Sequence, residues 1–574
     1  MRNLNFSDLG VNRFNNLVEA LEAAPPDRAF VTQWIDEDEQ ESVTFEAFRQ
    51  RVRLRASALY RHGIKFGDRV IVIMPQSISA MANFAGAMML GAVPAFLAYP
   101  NFKVDPAKYR AGLAGVTANL GARAIMIDAE FPDEMLNYVS LGDKTLLLRE
   151  GSEVFSQPIE LPDLPARQSC DLAFIQHSAG TTGLQKGVAL SHGAVLRQIE
   201  HLSKALKIDA TTDRIYSWLP LYHDMGLIAC FILPMVCHVP MVMQSPLDWV
   251  MHPETMLQVI DERKCTLAWM PNFAFQFIPR RTPRDRKREY DLSSVRALIN
   301  CSEPVRHSSM DEFEKAFAAS GLKKNALQSS YAMAENVFAV TQSNLSCRPL
   351  RVWADASEFR KKDRIVVVEE YAAGAVCFQS SGEVLGGQEL RIVSESGEVI
   401  QDARAGEIHI KSDCLFEAYY NRHDLTADAI VDGWYHTGDL GFRLHGELFV
   451  VGRKKDLLIV GGENLYPQDI EEIVGNHPAI HDGRVVAVGL YNPKLGTDEV
   501  AVVAEVEGHE FLADSQSLEQ EIRSLIVSGL GVAVRIIFLK PPHWIVKSTA
   551  GKAARSATRK KLLEEHPEIN LALE

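Results

Sequence analysis

Five consecutive residues, Val70-Ile71-Val72-Ile73-Met74, carry no polar side chain. Neighbouring side chains of a strand point to opposite faces, so such a run must be covered on both sides. That is the situation of a strand inside a parallel sheet flanked by helices. The flanks are present. Ahead of the run, Thr44 can cap a helix over residues 45–60, whose Phe45, Phe48, Val52 and Leu59 share one face. Behind it, a second helical stretch leads to Ala92-Val93-Pro94-Ala95-Phe96. The alternation continues with short strands predicted at residues 124–127 and 145–148, which makes the region α/β.

A chain of 574 residues is too long for one hydrophobic core, so two or more domains are expected. Its formal charge of −14 is the opposite of the basic footprint of a general nucleic-acid binder. The eight cysteines form no Cys-x-x-Cys pair, so neither a zinc site nor a disulfide framework is suggested, and free thiols in a reducing cytoplasm are expected. Residues 1–10 lack the apolar core of a signal peptide and include Asp8. Residues 80–99 and 225–243 approach the length of a membrane span. Asn83 and Pro94 interrupt the first, and Pro234, His238 and Pro240 the second, so both read as buried core elements and no membrane span is expected.

The apolar residues 172–175 lead into His177-Ser178-Ala179-Gly180-Thr181-Thr182-Gly183-Leu184-Gln185-Lys186-Gly187. Glycines let backbone N–H groups approach an anion closely, hydroxyls add donors, and lysine adds a positive charge, which are the requirements of a polyphosphate loop. It is not the common loop of nucleoside triphosphatases, which needs Gly-Lys-Ser/Thr. The segment instead resembles the phosphate loop of adenylate-forming enzymes (acyl-CoA synthetases, fatty acyl-AMP ligases, adenylation domains and luciferases), close to Thr-Ser-Gly-Thr-Thr-Gly-x-Pro-Lys-Gly. Ser178 and Ala179 stand for its first two residues, and Gln185 replaces its proline.

Further motifs follow in the family's order. Trp218-Leu219-Pro220-Leu221-Tyr222-His223-Asp224-Met225-Gly226-Leu227 is similar to the fatty acyl-AMP ligase form of this region, which implies that His223 orients the substrate carboxylate. Met270-Pro271-Asn272-Phe273-Ala274-Phe275 resembles an acyl-pocket stretch, and Asn300-Cys301-Ser302-Glu303-Pro304 a segment bordering adenine and acyl group. The resemblance thus places Trp218, His223, Met225, Asn272, Phe273, Asn300, Ala332 and Met333 at the acyl pocket. In Ser330-Tyr331-Ala332-Met333-Ala334-Glu335, read as a helix start, it sets the Tyr331 ring against adenine and gives Mg²⁺ to Glu335, with Ala332 at a position usually glycine. Asp432-Gly433-Trp434-Tyr435-His436-Thr437-Gly438-Asp439 implies ribose binding by Asp439, and Gly452-Arg453-Lys454-Lys455-Asp456 puts Arg453 near ribose and phosphate and the hinge at Lys455. Ser302, Glu303, Pro304 and Ser330 complete the adenine and ribose set. Ser178, Gly180, Thr181, Thr182, Gly183 and Lys186 are implied for the phosphates. Lys552, in Ser548-Thr549-Ala550-Gly551-Lys552, matches the lysine of adenylation.

The implied fold is a large N-terminal domain, residues 1–452, of two α/β/α sheet subdomains and a small β-barrel containing strands at 389–393 and 406–410. A hinge at 453–456 leads to a smaller mobile α+β domain, 457–574. Its strands are expected at 457–460, 485–490, 500–506 and 535–539, with helices from near 469 and 517. The implied chemistry uses ATP and Mg²⁺ to convert a fatty or related carboxylic acid to acyl-AMP and pyrophosphate. An acyl carrier protein then takes the acyl group on its phosphopantetheine thiol. About thirty extra residues within 345–380, including Lys362-Asp363-Arg364-Ile365, resemble the insertion that restrains the C-terminal domain of fatty acyl-AMP ligases and disfavours CoA. Thr181-Thr182-Gly183 and Gly461-Gly462-Glu463 are closer to acyl-CoA synthetases, so CoA stands as the alternative acceptor. A nucleotide-binding protein without ligase activity is the remote alternative.

Overall fold

In the computed structural model the run at residues 70–74 lies in the strand Arg69–Ile73, and its Val70, Ile71, Val72 and Ile73 are fully buried. The structure describes residues 14–569 except 36–37, 101–105, 143, 153–154, 156–158, 178–185, 461–462, 493–496, 509–510, 512–514, 548–552 and 568. Arg69–Ile73 is central in a four-stranded parallel sheet, between Val93–Phe96 and Ala124–Ile127, with Leu146–Arg149 at the edge. The helix Phe45–Arg61 starts at the Thr44 cap, whose hydroxyl accepts the Ala47 N–H. It packs on the helix Ile78–Met89 so closely that a Cβ on Gly86 would come within 2.6 Å of Arg55 Cβ.

The larger sheet is parallel from Ala29–Ile35 through Met241–Gln244, Ile215–Ser217, Leu267–Met270 and Ala297–Asn300 to Leu327–Ala332. It then turns antiparallel at Ala339–Gln342 and continues through Gly382–Val384, Glu447–Arg453, Trp434–Leu444 and Gly406–Ser412 to Gln388–Val393. The strands foreseen for the barrel are thus joined edge to edge to the parallel sheet. One reading of local structure needs correction. Tyr331 is not at a helix start but on the strand Leu327–Ala332, and only Glu335 lies in a short 3₁₀ turn, Ala334–Asn336. Antiparallel pairing with Thr341 holds 331 extended and overrides the local pattern.

Residues 80–99 and 225–243 are core. The second begins as a π-helix, Met225–Ile232, continues as Leu233–Cys237, and ends in the strand Met241–Gln244. Among the described residues no helix is long and apolar enough to cross a membrane. Near the C-terminus, Ile480–Asn492, Thr497–Val506 and Ile536–Lys540 form a sheet that shares a separate core with the helices Pro467–Gly475 and Ser515–Leu530. The extra residues within 345–380 form a two-stranded antiparallel unit, Arg351–Asp355 with Ala375–Gln379, carrying the helix Ala356–Lys362.

Asp213 knits the edge of the large sheet together. Its side chain has no solvent exposure. It accepts hydrogen bonds from Arg296 Nη1 at 2.6 Å, Thr266 Oγ1 at 2.7 Å and the Asp209 N–H at 2.9 Å. Removing one partner of such a pair strands the other charge. Asp213→Ala is expected to lower the unfolding free energy by about 3 kcal/mol or more, read as a fall in the urea midpoint by tryptophan fluorescence; an unchanged midpoint would count against this tie.

Candidate active site

The strand Leu172–His177 pairs antiparallel with Gly187–Ser191, and the register sets His177 opposite Gly187, bringing the two ends of the glycine-rich segment together. Ser178, Gly180, Thr181, Thr182 and Gly183 lie outside the described residues, as do Gly461, Gly462 and Lys552, the last of which the resemblance assigns to adenylation. His177 is buried, with both ring nitrogens unpartnered among the described residues, and burial holds its pKa down to about 4. It therefore adds no positive charge at the base of the loop.

Lys186 is half-buried, and its ammonium lies 4.4 Å from the centroid of the Tyr419 ring. The Tyr419 hydroxyl donates to Glu335 Oε1 at 2.8 Å and lies 3.2 Å from the Tyr435 hydroxyl. One tyrosine thus links Lys186, which the resemblance assigns to the phosphates, to Glu335, which it assigns to Mg²⁺. Burial first, and the Glu335 charge second, push the Tyr419 phenol far above its usual pKa, so it acts as a neutral donor. Neither Tyr419 nor Tyr435 emerged from the sequence as a site residue.

Tyr331 and Asp439, 108 residues apart, meet directly: the phenol donates to Asp439 Oδ2 at 2.6 Å. Strand pairing sets Asp439 opposite Arg453, whose Nε lies 3.2 Å from Oδ1. Ser330 is buried, with its hydroxyl donated to the Thr341 carbonyl at 2.7 Å. Asp439, Tyr331 and Arg453 therefore form one polar group, while Ser330 spends its hydroxyl within the sheet.

The residues that the resemblance assigns to an acyl pocket gather around the ends of parallel strands. Asn300 Nδ2 donates to Asn272 Oδ1 at 2.9 Å, and Asn272 Nδ2 donates to Ser309 Oγ at 3.0 Å. Asn300 Oδ1 is buried and has no hydrogen-bond partner among the described residues. Glu303 Oε2 accepts the Phe273 N–H at 3.0 Å, and Ser302, in left-handed backbone with φ 72°, places its hydroxyl 3.8 Å from Met225 Sδ. Trp218 stacks on Trp249 with centroids 3.6 Å apart, and Phe273 and Phe277 close the cluster edge-on. Trp249 and Phe277 were not foreseen. His223 Nδ1 lies 2.6 Å from Asp224 Oδ1. Ala332 and Met333 are half-buried against the main core, and Pro304 instead lines a cleft with Phe359, Phe378 and Tyr466.

Lys547 bridges Ala553, so the ends of the segment holding Lys552 meet. Arg555, just beyond, donates to Glu471 Oε1 at 2.8 Å and to Asp456 Oδ2 at 3.1 Å. This ties the segment to the 3₁₀ turn Lys454–Asp456, where the exposed Lys455 sits. Two groups of described residues gather three potential metal ligands, His201-Asp413-Cys414 and Glu407-His409-His436, and neither includes Glu335. In the first, the imidazole and the thiol both lie within hydrogen-bond reach of the Asp413 carboxylate.

Tyr419→Phe keeps the ring beneath Lys186 and removes only the hydroxyl held by Glu335. Hydrogen bonds to charged groups contribute about 1.5–3 kcal/mol. Equilibrium denaturation is expected to show a loss of that order, and Tyr419→Phe matching wild type would mean that water replaces the hydroxyl without cost.

Comparison with known proteins agrees with this arrangement. The AMP-binding enzyme family matches residues 18–420. The chain is 30% identical over 557 residues to the medium-chain-fatty-acid–[acyl-carrier-protein] ligase JamA of Moorena producens, covering 92% of this chain and 91% of that protein. It is 28% identical to a putative acyl-CoA synthetase of Caulobacter vibrioides, covering 90% of each. A solved structure from work on fatty acyl-adenylate ligases of E. coli and L. pneumophila superposes with a TM-score of 0.89 at 26% identity, over 97% of this chain and 98% of that one. With the family matched across most of its length and the fold shared from end to end, the chain belongs to the AMP-binding enzymes and is an AMP-forming acid–thiol ligase.

Proposed function

We propose that the enzyme activates a fatty or related carboxylic acid and delivers it to the phosphopantetheine thiol of an acyl carrier protein rather than to CoA. The observation that carries this choice is the grip of the inserted unit on the C-terminal region. Phe359 stacks on Tyr466 with centroids 5.5 Å apart and planes 13° from parallel. Asn464 Nδ2 donates to Asp363 Oδ1 at 3.0 Å, Arg360 Nη1 donates to the Leu530 carbonyl at 2.7 Å, and Lys361 pairs with Glu463 at 3.3 Å. A C-terminal region held in this way resists the rotation that opens a path for a diffusing thiol. A carrier protein can supply docking contacts of its own to offset that resistance.

Residues 1–452 form the adenylation domain in this reading, 453–456 the hinge and 457–574 the moving domain. The acid carboxylate attacks the α-phosphorus of ATP and pyrophosphate leaves. Two anions must approach, so preorganised positive charge and donors are what the site has to supply. Lys186, with Ser178, Gly180, Thr181, Thr182 and Gly183, holds the phosphates. Lys552 bridges carboxylate and α-phosphate. Asp439 accepts the ribose hydroxyls by exchanging its contacts with Tyr331 and Arg453, and the Tyr331 ring lies along adenine beside Ser302 and Glu303. His223 keeps Nδ1 on Asp224 and offers Nε2 to the substrate carboxylate, while Trp218, Met225, Asn272, Phe273, Asn300, Ala332 and Met333 surround the acyl chain. Glu335 fits Mg²⁺, since one carboxylate oxygen is oriented by Tyr419 and the other has no hydrogen-bond partner among the described residues. When bound, the ion neutralises phosphate charge.

The test is incubation with ATP, Mg²⁺ and a panel of acids, offering CoA or a phosphopantetheinylated carrier protein, with AMP, acyl-adenylate and thioesters followed by mass spectrometry. Acyl-adenylate with thioester confined to the carrier is expected, and Phe359→Ala should raise acyl-CoA formation by about tenfold, equivalent to about 1.4 kcal/mol of lost restraint. Efficient acyl-CoA formation by the unaltered enzyme would reverse the assignment of the acceptor. In the same assay Lys552→Ala is expected to cut adenylation by at least about 10²–10³-fold while slowing thiol attack on supplied acyl-adenylate much less; equal losses in both steps would contradict a lysine that leaves the site between them.

A further inference from the structure

The run Arg280-Arg281-Thr282-Pro283-Arg284-Asp285-Arg286-Lys287-Arg288 holds six basic residues and one acidic residue in a chain of formal charge −14. It spans the end of the helix Ala274–Arg281 and the 3₁₀ turn Arg286–Arg288. Arg280, Arg281, Arg284 and Arg286 are exposed. Arg280 pairs with Glu312 at 3.0 Å, whereas Arg284 and Arg286 form no ion pair among the described residues. The turn that presents them is built: Thr282 Oγ1 donates to the Ile278 carbonyl at 2.7 Å, and Pro283 follows. Like charges held close together without partners raise the free energy of the isolated protein, which an acidic partner relieves.

The position of the patch narrows the partner. Its helix begins one residue after Phe273, at the acyl pocket. The neighbouring helix His307–Phe317 carries Glu312 and, one turn earlier on the same face, Ser308. The Ser308 hydroxyl donates to Glu472 Oε1 at 2.8 Å, on the helix Pro467–Gly475 of the C-terminal region. One helix therefore links the patch to the seam with the C-terminal region.

We propose that Arg280, Arg281, Arg284, Arg286 and Lys287 form the docking face for an acidic acyl carrier protein, receiving its anionic helix surface beside the seam. This rests on the carrier-protein reading above. A nucleic acid is disfavoured because the rest of the chain is acidic and would repel a long polyanion. Charges at the rim of such an interface act mainly on encounter rate and its salt dependence.

The double variant Arg284→Glu/Arg286→Glu tests the assignment in the full-length enzyme. ATP–pyrophosphate exchange and trapping of acyl-adenylate by hydroxylamine are expected to be unchanged, while KM for the carrier rises about tenfold or more at low salt. Raising salt from about 0.05 to 0.5 M should slow carrier loading by the unaltered enzyme and shrink the gap between the two proteins. Carrier loading equal to wild type at low salt, with exchange intact, would overturn the docking face alone. So would a variant that loads carrier normally but loses binding to vesicles of anionic lipid, which would assign the face to a membrane. Transfer by the unaltered enzyme to CoA and to no carrier would overturn the docking face together with the functional reading beneath it.

Discussion

Parallel pairing fixes where this protein can bind anything. In a parallel sheet every strand delivers its carboxyl end to the same edge, and ligands settle in the crevice beyond those ends. Trp218 follows Ile215–Ser217, Asn272 and Phe273 follow Leu267–Met270, Asn300 ends Ala297–Asn300, and Ala332 ends Leu327–Ala332. Residues scattered over more than a hundred positions therefore converge without long loops. The last of these strands does a second job. It pairs in parallel with Ala297–Asn300 and antiparallel with Ala339–Gln342, so Tyr331 stands where the parallel sheet passes into the antiparallel one that carries Asp439 and Arg453. The Tyr331–Asp439 hydrogen bond, at 2.6 Å, joins the two parts of the sheet.

That geometry explains which features the sequence reveals and which it conceals. Continuous apolar runs such as 70–74 identify buried strands because burial on both faces leaves no alternative. The Thr44 cap, the strands of the C-terminal sheet and the order of the motifs are likewise local and readable. The local pattern puts Tyr331 at a helix start because nothing within five residues of it encodes its pairing with Thr341. Tyr419 and Tyr435 escaped for the same reason: their hydroxyls matter only once folding brings residues 84 and 100 positions away to Glu335. Trp249 stacks on Trp218 from a separate helix, Pro246–Met251, and neither periodicity nor spacing connects the two. Arg555, with no motif partner in its own neighbourhood, is joined to Asp456 and Glu471 only by the fold.

The seam between the two large regions is built differently from the cores on either side. Its apolar part is the cluster of Phe359, Tyr466, Val451, Phe449 and Phe442, to which the inserted unit contributes Val352, Ala354 and Ile365. Its polar part is Arg306, paired with Asp469 at 3.1 Å and Glu472 at 3.0 Å. Burial raises the Asp469 carboxyl above its ordinary range despite the nearby guanidinium, so its ionised form is held at a desolvation cost. Ion pairs that lose hydration in this way define geometry more than they add net stability. Charged pairs of this kind make an interface specific without making it as stable as a broad apolar face would.

The inserted unit then shifts the balance in one direction. Without it, Tyr466 would lose its stacking partner and the seam would rely on Arg306, Ser308 and their carboxylates. With it, every excursion of the C-terminal region must break an aromatic stack and expose part of an apolar cluster to water, a cost that grows with the area uncovered. A small thiol reaching the site by diffusion brings few contacts to offset that cost. On the proposed reading, a folded carrier protein brings docking contacts of its own, so the restraint that disfavours a free thiol favours a tethered one.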